Sequence, residues 1–335
     1  MNDAATSLTE QVRPVAAGAH VTAAAFLGPA VVFALGDGTA LRLDGEREER
    51  IALHPDGAIL VAALAGKRLV TGGDDGRVVA LAADGSHEEI SSDKGKWIDA
   101  LAARDDGAIA WSSGKQVFAR EPQGGLKNFA AASSVRGLAF APKGYRLAIA
   151  HYNGAALWFP NASAPAELLE WKGAHLDATF SPDGRFLVTS MQENALHGWR
   201  LSDKRDMRMS GYPAKTRSFS WSYDGHWLAT SGAEACIIWP FKDKDGPMKK
   251  QPRECGVRRA KVSRVACHPK ALVVAVGYED GWILLCRMTD GAEILVRRTE
   301  SETQEAITAL AWDEAGRRLI FGTSEGNAGL LDMPG

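Results

Sequence analysis

The sequence predicts an all-β domain made of eight repeats, each folding as a four-stranded antiparallel sheet. Three observations support this fold class: a strand and turn pattern that returns about every forty residues, 35 Gly and 14 Pro that suit many turns, and an unpaired strand near the start that matches a missing strand near the end. Fixed-period repetition is the first feature to examine, because it decides the architecture of the whole chain.

The fifth repeat shows the pattern most clearly. Leu176–Ser190 reads as a strand, a Ser-Pro-Asp-Gly turn and a second strand, and Ala195–Arg200 forms a third strand after a second turn. A fourth strand follows near Met207–Met209. Short apolar runs bounded by Gly, Pro, Asn and Asp are typical of strands joined by tight hairpin turns.

The same order of strands and turns returns in seven other segments. Four clear copies are Val135–Phe159, Thr216–Trp239, Val262–Cys286 and Ile307–Leu331, and three weaker copies are Val21–Leu43, Ile59–Leu81 and Trp97–Phe118. The first strands begin near Val21, Ile59, Trp97, Val135, Leu176, Thr216, Val262 and Ile307, at spacings of 38, 38, 38, 41, 40, 46 and 45 residues. Such spacings are typical of the blades of a β-propeller, whose sheets bury their faces by packing on one another in a ring. We therefore predict a single closed β-propeller over residues 1–335 with eight blades, or seven if an early repeat is irregular.

The N-terminal segment completes the strand count. The last repeat has only three strands before the chain ends, whereas Thr9–Val15 has the length of a strand and precedes the first repeat. We expect this segment to add the missing outer strand of the last blade and to close the propeller. Pro14 suits that place, because an outer edge strand need not donate every backbone N–H.

Several residues of the repeats resemble those of the WD40 family. Trp158, Trp199 and Trp239 end third strands, the turns before third strands hold Asp37, Asp75 and Asp280, and His20 and His175 precede first strands. The resemblance covers nearly the whole chain, but no repeat carries the full set, so we expect a bacterial member with degenerate repeats. In this family such residues form a buried hydrogen-bond network within a blade. The fifth repeat comes nearest, and the resemblance implies a structural network of His175, Glu193 and Trp199 with Thr189 or Ser190.

Composition limits the function classes. Lys and Arg total 39 and Asp and Glu total 41, so no strong overall field attracts the protein to nucleic acid or to an anionic membrane. The first residues lack the basic and apolar regions of a signal peptide, and no run of about 18 apolar residues is present to span a membrane. We therefore expect a cytoplasmic protein with no membrane partner, and with nucleic acid as an unlikely one.

The four cysteines give no sign of a metal or redox motif. They are Cys236, Cys255, Cys267 and Cys286, and no two stand in a Cys-x-x-Cys spacing. Three of them lie inside apolar runs that we predict as strands. We expect buried free thiols.

The motifs of common enzyme classes are absent from the sequence. There is no Gly-x-Ser-x-Gly elbow, no phosphate-binding Gly-rich loop with Lys, no His-Glu-x-x-His and no Cys/His cluster with zinc spacing. We expect no catalytic residues, no metal and no cofactor. The alternative is a propeller hydrolase or lactonase, since a ring can gather distant residues at its central channel.

One residue of each first strand is expected to point toward the channel mouth, because side chains alternate along a strand. We select as partner-binding candidates Thr22, Asp99, Arg136, Asp177, Arg217 and Ser263. Alternating Asp and Arg in four consecutive repeats have two interpretations. They form a salt-bridged seam between blades, or they form a docking site in which Arg136 and Arg217 receive the carboxylates of a partner peptide.

The longest departure from the repeat is the segment 242–261. It holds eight basic residues against three acidic ones. Such a loop is either a solvated hairpin over a blade edge or a weak contact for nucleic acid phosphates. It lacks the aromatic residues that stack on bases, which favours the hairpin.

The function that these observations favour is a non-catalytic scaffold that presents rigid surfaces to other proteins or peptides. A propeller provides several such surfaces at once, and nothing in the sequence identifies the partner.

Overall fold

The structure is a computed structural model and describes residues 7–299 and 305–334. In these ranges the chain forms thirty β-strands and a single short 3-10 helix, Thr9–Gln11, with no α-helix. The all-β prediction is confirmed. The chain divides into two compact units, Met1–Phe26 with Gly211–Gly335, and Leu27–Ser210. The expectation of one domain over residues 1–335 stays a prediction.

The strands follow one another along the chain with short connections. The first nine are β1 (Val12–Ala16), β2 (Val21–Leu27), β3 (Ala30–Leu35), β4 (Thr39–Asp44), β5 (Arg47–Ala52), β6 (Ile59–Ala65), β7 (Arg68–Gly73), β8 (Arg77–Ala82) and β9 (His87–Ser92). The next ten are β10 (Ala100–Ala103), β11 (Ile109–Ser113), β12 (Gln116–Arg120), β13 (Leu126–Ala130), β14 (Gly137–Phe140), β15 (Leu147–Trp158), β16 (Glu167–Phe180), β17 (Phe186–Met191), β18 (Leu196–Arg200) and β19 (Arg205–Met209). The last eleven are β20 (Phe219–Trp221), β21 (Trp227–Thr230), β22 (Cys236–Pro240), β23 (Arg253–Cys255), β24 (Val262–Cys267), β25 (Val273–Tyr278), β26 (Ile283–Arg287), β27 (Glu293–Arg297), β28 (Ile307–Trp312), β29 (Arg318–Thr323) and β30 (Asn327–Asp332).

The described strands form seven hydrogen-bonded sheets. Six have four strands, in the orders β2-β3-β4-β5, β6-β7-β8-β9, β10-β11-β12-β13, β20-β21-β22-β23, β24-β25-β26-β27 and β1-β30-β29-β28. The seventh has six strands, β14 to β19 in chain order. The prediction of eight separate four-stranded blades is therefore wrong in number, and seven, the alternative, is the number of sheets.

The six-stranded sheet joins the predicted fourth and fifth repeats. The backbone turns within β15 at Asn153 and Gly154, which have positive φ values of 68° and 137°. The ladder between β15 and β16 nevertheless continues on both sides of this turn, with Tyr152 opposite Ala174 and Gly154 opposite Glu170 after a shift of register. A Cβ atom at Gly154 would collide with the Leu169 carbonyl oxygen, so glycine allows the two strands to approach here.

The N-terminal strand lies where the sequence predicts it. β1 pairs antiparallel with β30, from Val12 opposite Leu331 to Ala16 opposite Asn327, and it completes the last sheet. The predicted strand began too early, because Thr9–Gln11 forms the 3-10 turn. Pro14 is exposed on this outer strand, as expected of a residue that cannot donate to a ladder.

Burial decreases from the second strand of a repeat to its fourth. All six residues of β3 and of β17 are buried, whereas most residues of the fourth strands β5 and β9 are exposed. The second strands are apolar on both faces because each face is covered by a packed neighbour. The core therefore consists of apolar clusters between sheets, and the polar surface follows the fourth strands and the turns.

Candidate functional site

Five of the six predicted channel-mouth residues lie at or near the start of a first strand. Thr22 and Ser263 are the second residues of β2 and β24, Asp99 and Arg136 directly precede β10 and β14, Arg217 lies shortly before β20, and Asp177 lies within β16. Arg136 and Arg217 are exposed, and the other four are half-buried. Their assignment to a channel mouth stays a prediction.

The structure brings Asp99 and Arg136 together. A guanidinium nitrogen of Arg136 lies 2.7 Å from a carboxylate oxygen of Asp99, and the arginine side chain remains 58% exposed. An exposed pair of this kind contributes at most about 1 kcal/mol to stability. Because the two residues precede the first strands of neighbouring sheets, the pair joins those sheets and still leaves Arg136 accessible to solvent.

Ser263 is directed toward the backbone. Its hydroxyl lies 2.7 Å from the carbonyl oxygen of Ile307 and 3.1 Å from that of Gly277. Thr308 repeats the arrangement, with its hydroxyl 2.6 Å from the Val21 carbonyl. These hydroxyls connect first strands of adjacent sheets, which is a structural role. The Asp177 carboxylate accepts the N–H of Ala178 at 2.8 Å.

The predicted network of the fifth repeat is present in part. His175 is buried, and its ring nitrogens lie 2.7 Å from the Thr189 hydroxyl and 3.0 Å from the Trp171 carbonyl oxygen. Trp199 is buried against His175, with ring centroids 5.7 Å apart. Glu193 stays exposed and accepts the N–H of Ala174 at 3.4 Å. Burial lowers the pKa of His175, which therefore stays neutral and structural.

Two other networks were missed by the sequence analysis. In the second repeat the buried His54 lies 2.9 Å from the Thr71 hydroxyl and 2.9 Å from an Asp75 carboxylate oxygen. The sequence does contain a signal for this network, because His54 precedes the first strand of the repeat. It stands five residues before the strand start Ile59 rather than directly before it.

In the sixth repeat Trp239 donates its indole N–H to the Tyr212 hydroxyl at 2.6 Å, and this hydroxyl lies 2.7 Å from the Thr230 hydroxyl. Tyr212 here occupies the place of a histidine. Burial raises the pKa of Tyr212 and keeps its hydroxyl protonated, so that it can donate to a partner.

The ring of His197 lies beside the fifth-repeat network and makes no side-chain hydrogen bond to the described residues. Neither ring nitrogen has a hydrogen-bond partner among the described residues, although the residue is fully buried. Its ring stacks on Trp171 at 4.0 Å between centroids and meets the edge of Trp199 at 4.7 Å. Burial, followed by the influence of His175 and Arg208, lowers the pKa of His197 from 6.5 to about 3.

A cavity of about 300 Å³ opens beside Trp171. Its lining residues are Tyr152, Trp171, Lys172, Gly173, Met191, Glu193 and Arg208. It combines aromatic rings, two basic side chains and one carboxylate, and all of these residues belong to the compact unit Leu27–Ser210. A cavity of this size accommodates one amino-acid side chain rather than a cofactor.

Exposed aromatic residues also lie near the strand ends of two repeats. In an antiparallel sheet the start of the first strand and the turn between the second and third strands lie at one end. Trp97 lies three residues before β10, and Tyr152 lies at the turn within β15, where its N–H donates to the Ser133 hydroxyl at 2.9 Å. We call Trp97, Arg136, Tyr152, Trp171 and Lys172 the strand-end surface.

The basic segment 242–261 is largely committed to contacts within the protein. Arg258 lies over the Trp282 ring, 3.7 Å from its centroid, and pairs with Asp280 at 2.9 Å. Arg253 lies 4.2 Å from the centroid of the Trp227 ring, and Lys250 pairs with Asp243. These contacts favour the interpretation of a packed surface segment over that of a phosphate-binding loop.

Within the described ranges no three His, Cys, Asp or Glu side chains are placed to hold a metal ion. The same residues include no helix that is long and apolar enough to cross a membrane.

Comparison with known proteins identifies the repeats. A family model described as the WD40 domain of anaphase-promoting complex subunit 4 matches residues 258–334. Transcription initiation factor TFIID subunit 5 of Caenorhabditis elegans is 22% identical over 161 residues, which are 48% of this chain and 24% of that protein. The match thus spans about a quarter of that relative's length.

A similar structure supports the same fold. The crystal structure of the computationally designed Ika8 protein superposes with a TM-score of 0.74 at 17% identity, over 94% of this chain and 97% of that one. At this identity the similarity shows the fold alone. The expectation of a bacterial origin stays a prediction. Together with the repeated strands and the buried His, Thr and Trp side chains, these matches support the resemblance to WD40-repeat proteins, and the family model itself covers residues 258–334.

Proposed function

We propose that the protein is a cytoplasmic, non-catalytic scaffold that binds other proteins or peptides, and that the strand-end surface contacts them. The observation that carries the proposal is the exposure of Trp97 (65%) and Tyr152 (56%), together with that of the Arg136 side chain (58%). Trp, Tyr and Arg dominate the binding energy of protein interfaces.

The candidate residues selected from the sequence fit this proposal to different degrees. Arg136 remains accessible beside Asp99 and is suited to receive a partner's carboxylate, and Arg217 is exposed at the start of another repeat. Thr22, Asp177 and Ser263 are half-buried on three different strands. The hydroxyl of Ser263 already donates to backbone carbonyl oxygens. We therefore assign the binding contribution to the arginines and the aromatic residues.

The names of the matched proteins agree with a role in assembly. One is a subunit of an anaphase-promoting complex and the other is a subunit of a transcription initiation factor. Both names describe proteins that work within larger complexes. By analogy with these proteins, we propose that this chain also binds other proteins. We expect its partner to differ from theirs, because one fold serves many unrelated functions.

The proposal is tested by comparing partner recovery between variants. Tagged protein is expressed in its native cells, and the recovered proteins are quantified by mass spectrometry for the wild type, Trp97→Ala with Tyr152→Ala, and Arg136→Ala with Arg217→Ala. The matched control is Tyr223→Ala, because Tyr223 is equally exposed (54%) but lies in a turn between first and second strands.

We expect the recovery of the main partner to fall at least about tenfold in the aromatic variant and several-fold in the arginine variant. The control should recover as much partner as the wild type. Equal recovery by all folded variants would reject the strand-end surface. Hydrolysis of esters or lactones by the purified protein with added divalent metal would support the enzyme alternative instead.

A further inference from the structure

Three of the four cysteines lie together in one buried cluster, separate from the strand-end surface. Cys236 on β22, Cys255 on β23 and Cys286 on β26 are each at most 4% exposed, and all are free thiols. They pack with Tyr278 and several valines in an apolar core between two sheets. The expectation of buried free thiols is confirmed for these three, whereas Cys267 is half-buried.

Backbone register distinguishes one pair within the cluster. Cys236 and Cys255 are directly opposite each other on antiparallel strands of one sheet. Opposite residues in such a ladder have Cα atoms roughly 4.5–5.5 Å apart, within the range of about 4.4–6.8 Å that a disulfide requires. Cys286 belongs to a different sheet, and the backbones of packed sheets lie about 10 Å apart. The geometry therefore favours a bond between Cys236 and Cys255.

Strand position and hydrogen bonds indicate which sulphur of the cluster reacts first. The thiols of Cys236 and Cys286 both donate to the Cys255 sulphur, which lowers the pKa of Cys255 and raises the pKa of the two donors. The thiolate is the nucleophilic form of cysteine. Cys255 lies on the terminal strand of its sheet and is the more exposed of the opposed pair, at 4% against 0% for Cys236, so it is the sulphur that a peroxide reaches first. Cys286, which donates to it, is a positioning residue.

The strand that carries Cys255 is the easiest part of its sheet to open. β23 is only three residues long and is the last strand of the order β20-β21-β22-β23. Its residues Arg253 and Glu254 are exposed, as is Val257 just beyond it. Short edge strands open locally at low free-energy cost, which lets a molecule of the size of hydrogen peroxide reach the thiols.

We propose that Cys236 and Cys255 form a reversible disulfide when the protein meets a peroxide. The Cys255 thiolate attacks one peroxide oxygen, so that an S–O bond forms, the O–O bond breaks and hydroxide leaves. The Cys236 sulphur then attacks the Cys255 sulphur, the S–O bond breaks and a second hydroxide leaves. With two protons from the two thiols, one peroxide is reduced to two waters as two thiols are oxidised to one disulfide. A dithiol reductant reverses the change.

The first test uses the native wild-type protein. It is treated with equimolar hydrogen peroxide, alkylated after unfolding, and analysed as intact protein and as peptides by mass spectrometry. We expect the thiol count to fall from four to two, a cross-linked peptide that contains Cys236 and Cys255, and recovery of four thiols with dithiothreitol. Four remaining thiols, a bond that involves Cys267 or Cys286, or a disulfide between two chains would overturn the proposal.

Variants then assign the roles of the individual sulphurs. Cys255→Ser should form no intramolecular disulfide, whereas the matched control Cys267→Ser should fall from three thiols to one. Cys286→Ala should react several-fold more slowly at neutral pH, with its rate profile moved to higher pH, because one donor to the thiolate is lost. An unchanged pH profile would overturn the assignment of Cys286. The peptide map of the wild type decides the pairing even where a variant does not fold.

Discussion

The neutral, buried His197 predicts a specific loss of stability in acid. The unfolded chain protonates this ring near its ordinary pKa of 6.5, whereas the folded protein holds it neutral down to about pH 3. The groups that face it are the aromatic rings of Trp171 and Trp199, His175, and Arg208 opposite it on β19. None of these accepts a proton from an imidazolium or pairs with its charge.

The size of the effect follows from linkage. Because the folded pKa is depressed, the unfolded state binds the extra proton, so stability is complete above about pH 6.5 and is lost as the pH falls toward 3. Each pH unit within this window costs at most about 1.4 kcal/mol. Between pH 7 and pH 5 the contribution of His197 is therefore at most about 2 kcal/mol.

The variant His197→Phe isolates this contribution. Phe keeps a flat ring against Trp171, and no hydrogen bond is lost, since neither ring nitrogen of His197 has a partner among the described side chains. Urea unfolding at pH 7 and pH 5 should show that the variant loses up to about 2 kcal/mol less than the wild type. The matched control is His87→Phe at an exposed position. Parallel losses in wild type and His197→Phe, within about 0.5 kcal/mol, would refute the reasoning.

Three further outcomes are expected. His54→Ala should lower the free energy of unfolding by about 2–4 kcal/mol, measured in urea, because Asp75 loses its buried partner, whereas His87→Ala should change it little. Deletion of residues 1–18 should lower the melting temperature by more than about 5 °C because the pairing of β1 with β30 is lost, and Arg13→Ala, exposed on β1, should leave it unchanged. If the disulfide proposed above forms, the peroxide-treated protein should be more stable to urea than the reduced protein by up to about 3 kcal/mol, since the bond closes a short loop; equal stability of the two forms would contradict the expected constraint.

The strand positions were predictable because they depend on local patterns. Four of the predicted starts, Val21, Ile59, Val262 and Ile307, are the first residues of strands in the structure. The alternation of apolar residues and the turn residues are patterns that extend over fewer than ten positions. They can therefore be recognised in the sequence without knowledge of the tertiary contacts. The link between repeats four and five was not predictable, since it depends on Tyr152 meeting Ala174 across an unusual turn.

The candidate site was predictable only in outline. Alternation placed Asp99 and Arg136 at neighbouring strand starts, and the structure pairs them. The same rule selected Ser263, whose hydroxyl instead binds the Ile307 backbone, because a short polar side chain at a sheet contact finds the nearest carbonyl. The aromatic residues Trp97 and Tyr152 carry the proposed function, and their exposure depends on packing that the sequence does not display.

The degenerate repeats keep one polar element that a search for whole motifs overlooks. A threonine lies on the second strand of the second, fifth and sixth repeats, and its hydroxyl forms a hydrogen bond with a buried ring. The pairs are Thr71 with His54, Thr189 with His175, and Thr230 with Tyr212. A threonine hydroxyl both donates and accepts, so the same position serves different ring partners.

The partners of each ring fix the direction of its hydrogen bonds. His175 must donate from one nitrogen to the Trp171 carbonyl, so its other nitrogen accepts from Thr189. In the sixth repeat the direction is reversed, since Tyr212 accepts from Trp239 and donates to Thr230, which donates in turn to the Ile237 carbonyl at 3.0 Å. Because a hydroxyl permits both directions, histidine can be replaced by tyrosine while the buried ring and its threonine partner stay hydrogen-bonded to each other.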